Sequence, residues 1–139
     1  MLRWTRDLDD ETLEMEPLGL PSVAFQMRHI ARSIDRLLTY ADGQGLSEEQ
    51  MLALRSEHVA GASGDELRQH VSEAIAKVRQ FALRFSQDQL SEPRGVGRAG
   101  LPTTVAGLLI HIAEHTQRHV GQLITTAKVA VALKDAQGS

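Results

Sequence analysis

An all-α, antiparallel four-helix bundle is the architecture to expect from these 139 residues, on three grounds. Three long stretches carry apolar residues at the three-and-four spacing of an amphipathic helix, and a shorter helical stretch lies between the first two. No segment shows the strict alternation that marks a half-buried strand. Helices of this kind bury their apolar faces by packing on one another.

In PSVAFQMRHIARSIDRLLTYADG, Val23, Met27, Ile30, Ile34, Leu37, Leu38 and Ala41 recur at helical spacing, with Ser22 as cap and Gly43 as stop. Ser47 with Gln50 makes a capping box for a short helix reaching about Val59. Ser63 with Glu66 makes a second, opening a helix through Leu67, Val71, Ile75, Val78, Ala82 and Phe85 that ends near Leu90. SEPRGVGRAGLP reads as a long loop, and Thr103 or Thr104 caps a last helix running to about Val131 before a polar tail. The N-terminal WTRDLDDETLEMEP holds at most one short acidic helix, because Pro17, Gly19 and Pro21 interrupt it. The first helix of the bundle is therefore short or missing.

The length suits a single domain over 1–139. No apolar run approaches the roughly eighteen residues that cross a bilayer, and MLRWTRDLDD lacks the apolar core of a secretory signal. A cytoplasmic protein without membrane association is expected. A net charge of −3, with arginines scattered among acids, argues against nucleic-acid binding. The chain has no cysteine, so any metal must be held by histidine, carboxylate and water.

The stretch HIAEHTQRHVGQ holds three of the six histidines, His111, His115 and His119, one at every fourth residue. Each step of four turns about 40° around the helix, which places His119 nearest the apolar stripe of Val105, Leu108, Leu109, Ile112, Leu123 and Ala127, and His111 furthest from it. Neighbouring imidazoles at i and i+4 can share an ion at ~2.0–2.1 Å, but the outer two are ~12 Å of rise apart and cannot. A third ligand must come from elsewhere. His29 offers one, on the flank of its own helix beside Gln26, Ser33 and Tyr40. If the two flanks face each other, they line a pocket with His29, His115 and His119 around an ion and one position open. His58 and His70 read as solvated.

HIAEH is also the inverted zinc-protease pattern H-x-x-E-H, with His111 and His115 as ligands and Glu114 as base, but Glu114 falls opposite the apolar stripe and His119 would have no role. GVGRAG has the glycine spacing of the dinucleotide fingerprint but fails as one because no strand is expected ahead of it, and neither a P-loop nor a nucleophile elbow occurs.

The motif H-x-x-x-H-x-G-Q at His115, His119, Gly121 and Gln122, with SVAFQMRHIARSIDRLL, resembles the DinB-like superfamily of bacterial four-helix bundles. The likeness runs from about Leu20 to Lys128 and is closest to a branch worded VGRAGLPTTV in its loop, here Val96 to Val105. The resemblance implies a divalent metal, zinc or nickel, on His29, His115 and His119. It further implies a metal-dependent enzyme, a transferase or isomerase using a low-molecular-weight thiol as cofactor. Relatives often have a histidine at the position of Gln26, and usually begin with a full-length helix. A bundle short of that helix exposes an apolar groove, so a homodimer is expected.

An ion on three neutral imidazoles would activate a bound water, carbonyl or thiol. Gln26, Ser33, Tyr40 and His111 are candidate pocket groups, and Arg94 or Arg98 would recognise a carboxylate at the mouth, with solvated loop charges as the plainer reading. The substrate, a small molecule, is not legible. The alternative function is a non-catalytic, dimeric binding or scaffold module with a structural or incidental metal.

Overall fold

In the computed structural model, which describes residues 1–137, helix α3 (Val23–Ala41) is the axis of the fold. Its first turn is capped by Ser22 Oγ, which accepts from the Phe25 N–H at 3.0 Å. At its end Gly43, with φ of 77°, allows the Gly43 N–H to reach Tyr40 O and the Gln44 N–H to reach Thr39 O. That pair of bonds satisfies carbonyls the helix would otherwise leave open, in the Schellman manner. Two shorter N-terminal helices, α1 (Leu2–Thr5) and α2 (Asp10–Glu14), precede it, and α4 (Glu48–Arg55) and α5 (Gly64–Ala82) follow, each opening on its expected capping box. Helix α6 (Val105–Gln137) has 33 residues and is roughly 50 Å long. Thr104 Oγ1 caps it by accepting from the Gly107 N–H at 3.0 Å.

Helices α5 and α6 pack chiefly against α3. Leu67, Val71, Ala74 and Phe81 of α5, and Leu108, Ile112, Leu123 and Ala127 of α6, form one core with Met27, Ile30, Ile34, Leu37 and Ala41 of α3. The N-terminal helix is short rather than missing. Asp9 caps α2 through the Thr12 N–H at 2.8 Å, and Leu13 and Pro17 are buried against the bundle.

Four local expectations are corrected. Helix α5 ends at Ala82, where the Arg84 N–H bonds Phe81 O in a tightened turn and Ser86 with Gln89 opens a new turn beyond it. Helix α4 stops at Arg55, and the next residues form a turn that carries Glu57 inward. The loop SEPRGVGRAGLP contains a hairpin: β1 (Pro93–Val96) pairs antiparallel with β2 (Leu101–Thr104), Val96 opposite Leu101. Gly97 and Gly100 turn it at φ of 73° and 60°, and Arg94 ties it to the end of α3 by donating from Nε to Ala41 O at 2.8 Å. Lastly, the segment expected as a polar tail after Val131 is helical through Gln137, with Gly138 and Ser139 outside the described residues. Its Ala, Leu, Lys and Gln are good helix formers, and Lys134 Nζ holds Asp9 at 2.7 Å and Thr12 at 2.9 Å. Among the described residues no helix is long and apolar enough to cross a membrane.

Candidate metal centre

The inward stripe of α6 runs through Val105, Leu108, Ile112, Leu123, Ala127 and Ala130, all buried. His115 and His119 continue it between Ile112 and Leu123 at the same three-and-four spacing. They face the side of α3 that carries Gln26, His29 and Ser33. One ligand nitrogen from each of His29, His115 and His119 lies within 4.8 Å of the other two. The Nε2 atoms of His29 and His115 are 3.4 Å apart, and the His119 ring centre is 4.4 Å from both of the other rings.

The opposite nitrogen of each ring has an acceptor. His29 Nδ1 lies 2.8 Å from a carboxylate oxygen of Glu57, and His119 Nδ1 lies 2.7 Å from the Gln26 amide oxygen. His115 Nδ1 is 3.5 Å from Ser33 Oγ, whose own proton goes to Ile30 O at 3.1 Å. With protons on Nδ1, all three Nε2 atoms keep a free lone pair, the arrangement in which metal-binding histidines are held.

Glu57 is itself clamped. Arg36 donates to its carboxylate at 2.6 Å, and Arg28 donates from Nε to its main-chain oxygen at 3.1 Å while bonding Glu14 through both terminal nitrogens. Burial alone would raise the Glu57 pKa, but the bonds from His29 and Arg36 outweigh it and hold the carboxyl below its ordinary value. The histidines shift the other way from protonation. Burial, then the neighbouring His119 and His29, lower the His115 pKa from 6.5 to about 4. Burial, His29 and Arg118 lower that of His119, against the pull of Glu57 and Gln122. Both are therefore neutral imidazoles near pH 7, the form that donates to a metal.

The donor set fits a divalent ion. Two nitrogens at ~2.1 Å from a tetrahedral centre stand ~3.4 Å apart, which is the separation of the His29 and His115 Nε2 atoms. A carboxylate behind one histidine and an amide behind another would fix ring orientation and raise basicity.

Ser33, Tyr40, His111 and Arg98 line a cavity of about 470 Å³ that reaches His115. Gln26 is not part of it, being buried behind His119. Arg94 is not either: its guanidinium bonds Ala41 O, Pro93 O and Glu92. His111 is exposed and stacks on His115 at 5.8 Å, and Glu114 is exposed too, so the inverted zinc-protease pairing is not assembled. His58 is exposed and stacks on Phe25 at 4.6 Å, and His70 is exposed on α5. A cavity of about 590 Å³ between α3, α4 and α5 contains none of the three clustered histidines. Sequence reasoning missed Glu57, which lies 28 residues from the imidazole it orients.

Three imidazoles from two facing helices, each backed by an acceptor, define a helical-bundle protein with a cluster that could hold a divalent metal. The chain belongs to the DinB superfamily, whose family model matches residues 1–123. That match starts ahead of Leu20 and so includes the short N-terminal helices. Among solved structures, the chain is similar to a conserved protein from Enterococcus faecalis, at 16% identity and a TM-score of 0.74 over 94% of this chain and 88% of that one. That likeness is one of fold. No curated protein matches the chain.

Proposed function

We propose that the chain is a metal-dependent enzyme, with zinc or nickel held by His29, His115 and His119 and one coordination position facing the cavity beside His115. The observation that carries this reading is the convergence of three imidazoles whose Nδ1 atoms lie against Glu57, Gln26 and Ser33. A divalent ion there supplies Lewis acidity, polarising a carbonyl or lowering the pKa of a bound water or thiol. The protein's own residues orient the ligand nitrogens and shape the cavity. Because the chain has no cysteine, a thiol nucleophile would come from a low-molecular-weight cofactor, and a thiol-dependent transferase or isomerase is the reaction class proposed. We further propose a cytoplasmic location, a small-molecule substrate and no nucleic-acid partner.

The test is metal content by mass spectrometry on tag-free protein purified without chelator. About one ion per chain is expected, lost in His29→Ala, His115→Ala and His119→Ala and retained in His111→Ala. Wild-type protein that neither carries nor takes up Zn²⁺ or Ni²⁺ would remove the enzyme reading. Full four-coordinate ligation by protein groups alone would favour the alternative, a non-catalytic scaffold with structural metal.

We also propose a homodimer. Ile110 and Val131 of α6 and Leu101 of the hairpin remain exposed, at 59%, 39% and 61%, on a fold whose N-terminal helix is short. A light-scattering mass of twice the monomer supports this, and a monomer mass at micromolar concentration refutes it.

A further inference from the structure

The chain carries more acid than base, yet no carboxylate side chain lines the cavity that reaches His115. Its charged lining is three arginines: Arg36, Arg55 and Arg98. Arg36 is committed to Glu57. Elsewhere, Arg28, Arg32, Arg68, Arg84 and Arg94 each hold a carboxylate or a main-chain oxygen. Arg55 and Arg98, like Arg3, Arg6, Arg79 and Arg118, have no side-chain hydrogen bond or ion pair among the described residues, but of these six only Arg55 and Arg98 line the cavity. One stands at the end of α4 and the other in the turn of the hairpin, which Arg94 fastens to α3. Two separate elements thus bring uncommitted guanidinium groups to one concavity. Beside them the wall is apolar, formed by Leu37, Met51 and Leu54, and Tyr40 adds a hydroxyl. A volume of about 470 Å³ is of the size that encloses a small organic ligand.

We propose that this cavity binds a small amphipathic organic anion, its oxyanion head held by Arg55 and Arg98 and its apolar body lying on Leu37, Met51 and Leu54. Guanidinium forks pair equally well with a carboxylate or a phosphate, so the shared chemistry is the oxyanion rather than either group. A head anchored at the arginines leaves the other end of the molecule to reach His115. The anion contact stands by itself; the placement of a reacting group at the histidine end rests on the metal-centre reading.

The experiment uses metal-free protein, so that an anion cannot bind through an ion. Hexanoate, hexyl phosphate and the uncharged hexanamide are titrated while backbone and arginine side-chain NMR signals are followed. The expected result is saturable binding of one or both anions, with shifts at Arg55 and Arg98, and binding of hexanamide at least about tenfold weaker. Whichever anion binds more tightly identifies the head group. Arg55→Gln and Arg98→Gln should each weaken binding by about tenfold, and the double variant should abolish it, while Arg79→Gln on the exposed face of α5 changes nothing. Circular dichroism and zinc uptake of every variant are measured alongside. Hexanamide binding as well as hexanoate, failure of both anions to bind, or undiminished affinity in a folded double variant would each overturn the proposal. Anion binding in a protein that takes up no metal would uphold it and sink the metal reading instead.

Discussion

Val105, Leu108 and Ile112 at one end of the inward stripe of α6, and Leu123, Ala127 and Ala130 at the other, are buried hydrocarbon, whereas His115 and His119 between them are half-buried imidazoles. Helix α3 mirrors the contrast, with Met27 and Ile30 fully buried beside Gln26, His29 and Ser33. A buried leucine or isoleucine contributes roughly 1.5–3 kcal/mol by leaving water. The imidazoles contribute far less, and they require Glu57, Gln26 and Ser33 as partners, with Arg28 and Arg36 in turn behind Glu57. The middle region forgoes hydrophobic stabilisation and orients three nitrogens that could hold an ion, while the two ends of the stripe keep the helices together.

The contrast can be broken most forcefully at an end. Leu123→Ala should cost about 2–5 kcal/mol of stability, measured by urea unfolding, with metal stoichiometry unchanged in the folded fraction. Loss of metal without loss of stability would show that the ends and the middle are not separate in role. In the middle the effects should fall on affinity. Glu57→Gln keeps the shape but removes the charge behind His29, and a chelator competition should show metal affinity about 10–100-fold weaker. An unchanged affinity would mean that the His29–Glu57 bond serves the fold alone.

His115→Leu sharpens the comparison from the other side. Replacing a half-buried imidazole by hydrocarbon should abolish metal uptake and yet raise the stability of the metal-free protein by about 1 kcal/mol. Destabilisation would mean that the imidazole is a packing element. The smallest effect belongs to the exposed Lys134–Asp9 pair that joins α6 to the N-terminal segment. Lys134→Ala should move the midpoint of thermal unfolding by no more than about 2 °C, and less still at high salt. Lys134 and Thr12 hold the Asp9 carboxyl well below the usual carboxylate range. Its contribution is therefore complete above the unfolded value of ~3.9 and fades as pH falls below it, a loss that should shrink in Lys134→Ala.

What was legible in the sequence had local causes. Ser22, Ser47 and Ser63 each accept the hydrogen bond expected of a cap, because capping is settled within three residues. The end of α5 was legible in principle and overlooked. Ser86 and Gln89 exchange the same reciprocal bonds as Ser47 and Gln50, marking a new turn after the helix. The hairpin gave no alternating pattern because its four-residue strands are largely exposed and set by two glycines and Arg94. In the candidate site, helical rotation was enough to separate His115 and His119 from His111. It erred only in placing the pair on a flank, where the structure puts them in the stripe itself. Glu57 was invisible, since nothing near it in the chain signals an inward-turned carboxylate. Arg55 and Arg98 could be distinguished from the other unpartnered arginines only once the fold had brought α4 and the hairpin to one cavity.

The central claim is that His29, His115 and His119 share one ion through Nε2. It is tested most directly by anomalous diffraction at the zinc and nickel absorption edges, from crystals of protein purified without chelator or loaded with either metal. The account predicts one strong peak ~2.0–2.1 Å from all three Nε2 atoms, with a further position open toward the cavity. A peak on His111 and Glu114, or no peak at the cluster in metal-loaded crystals, would contradict it.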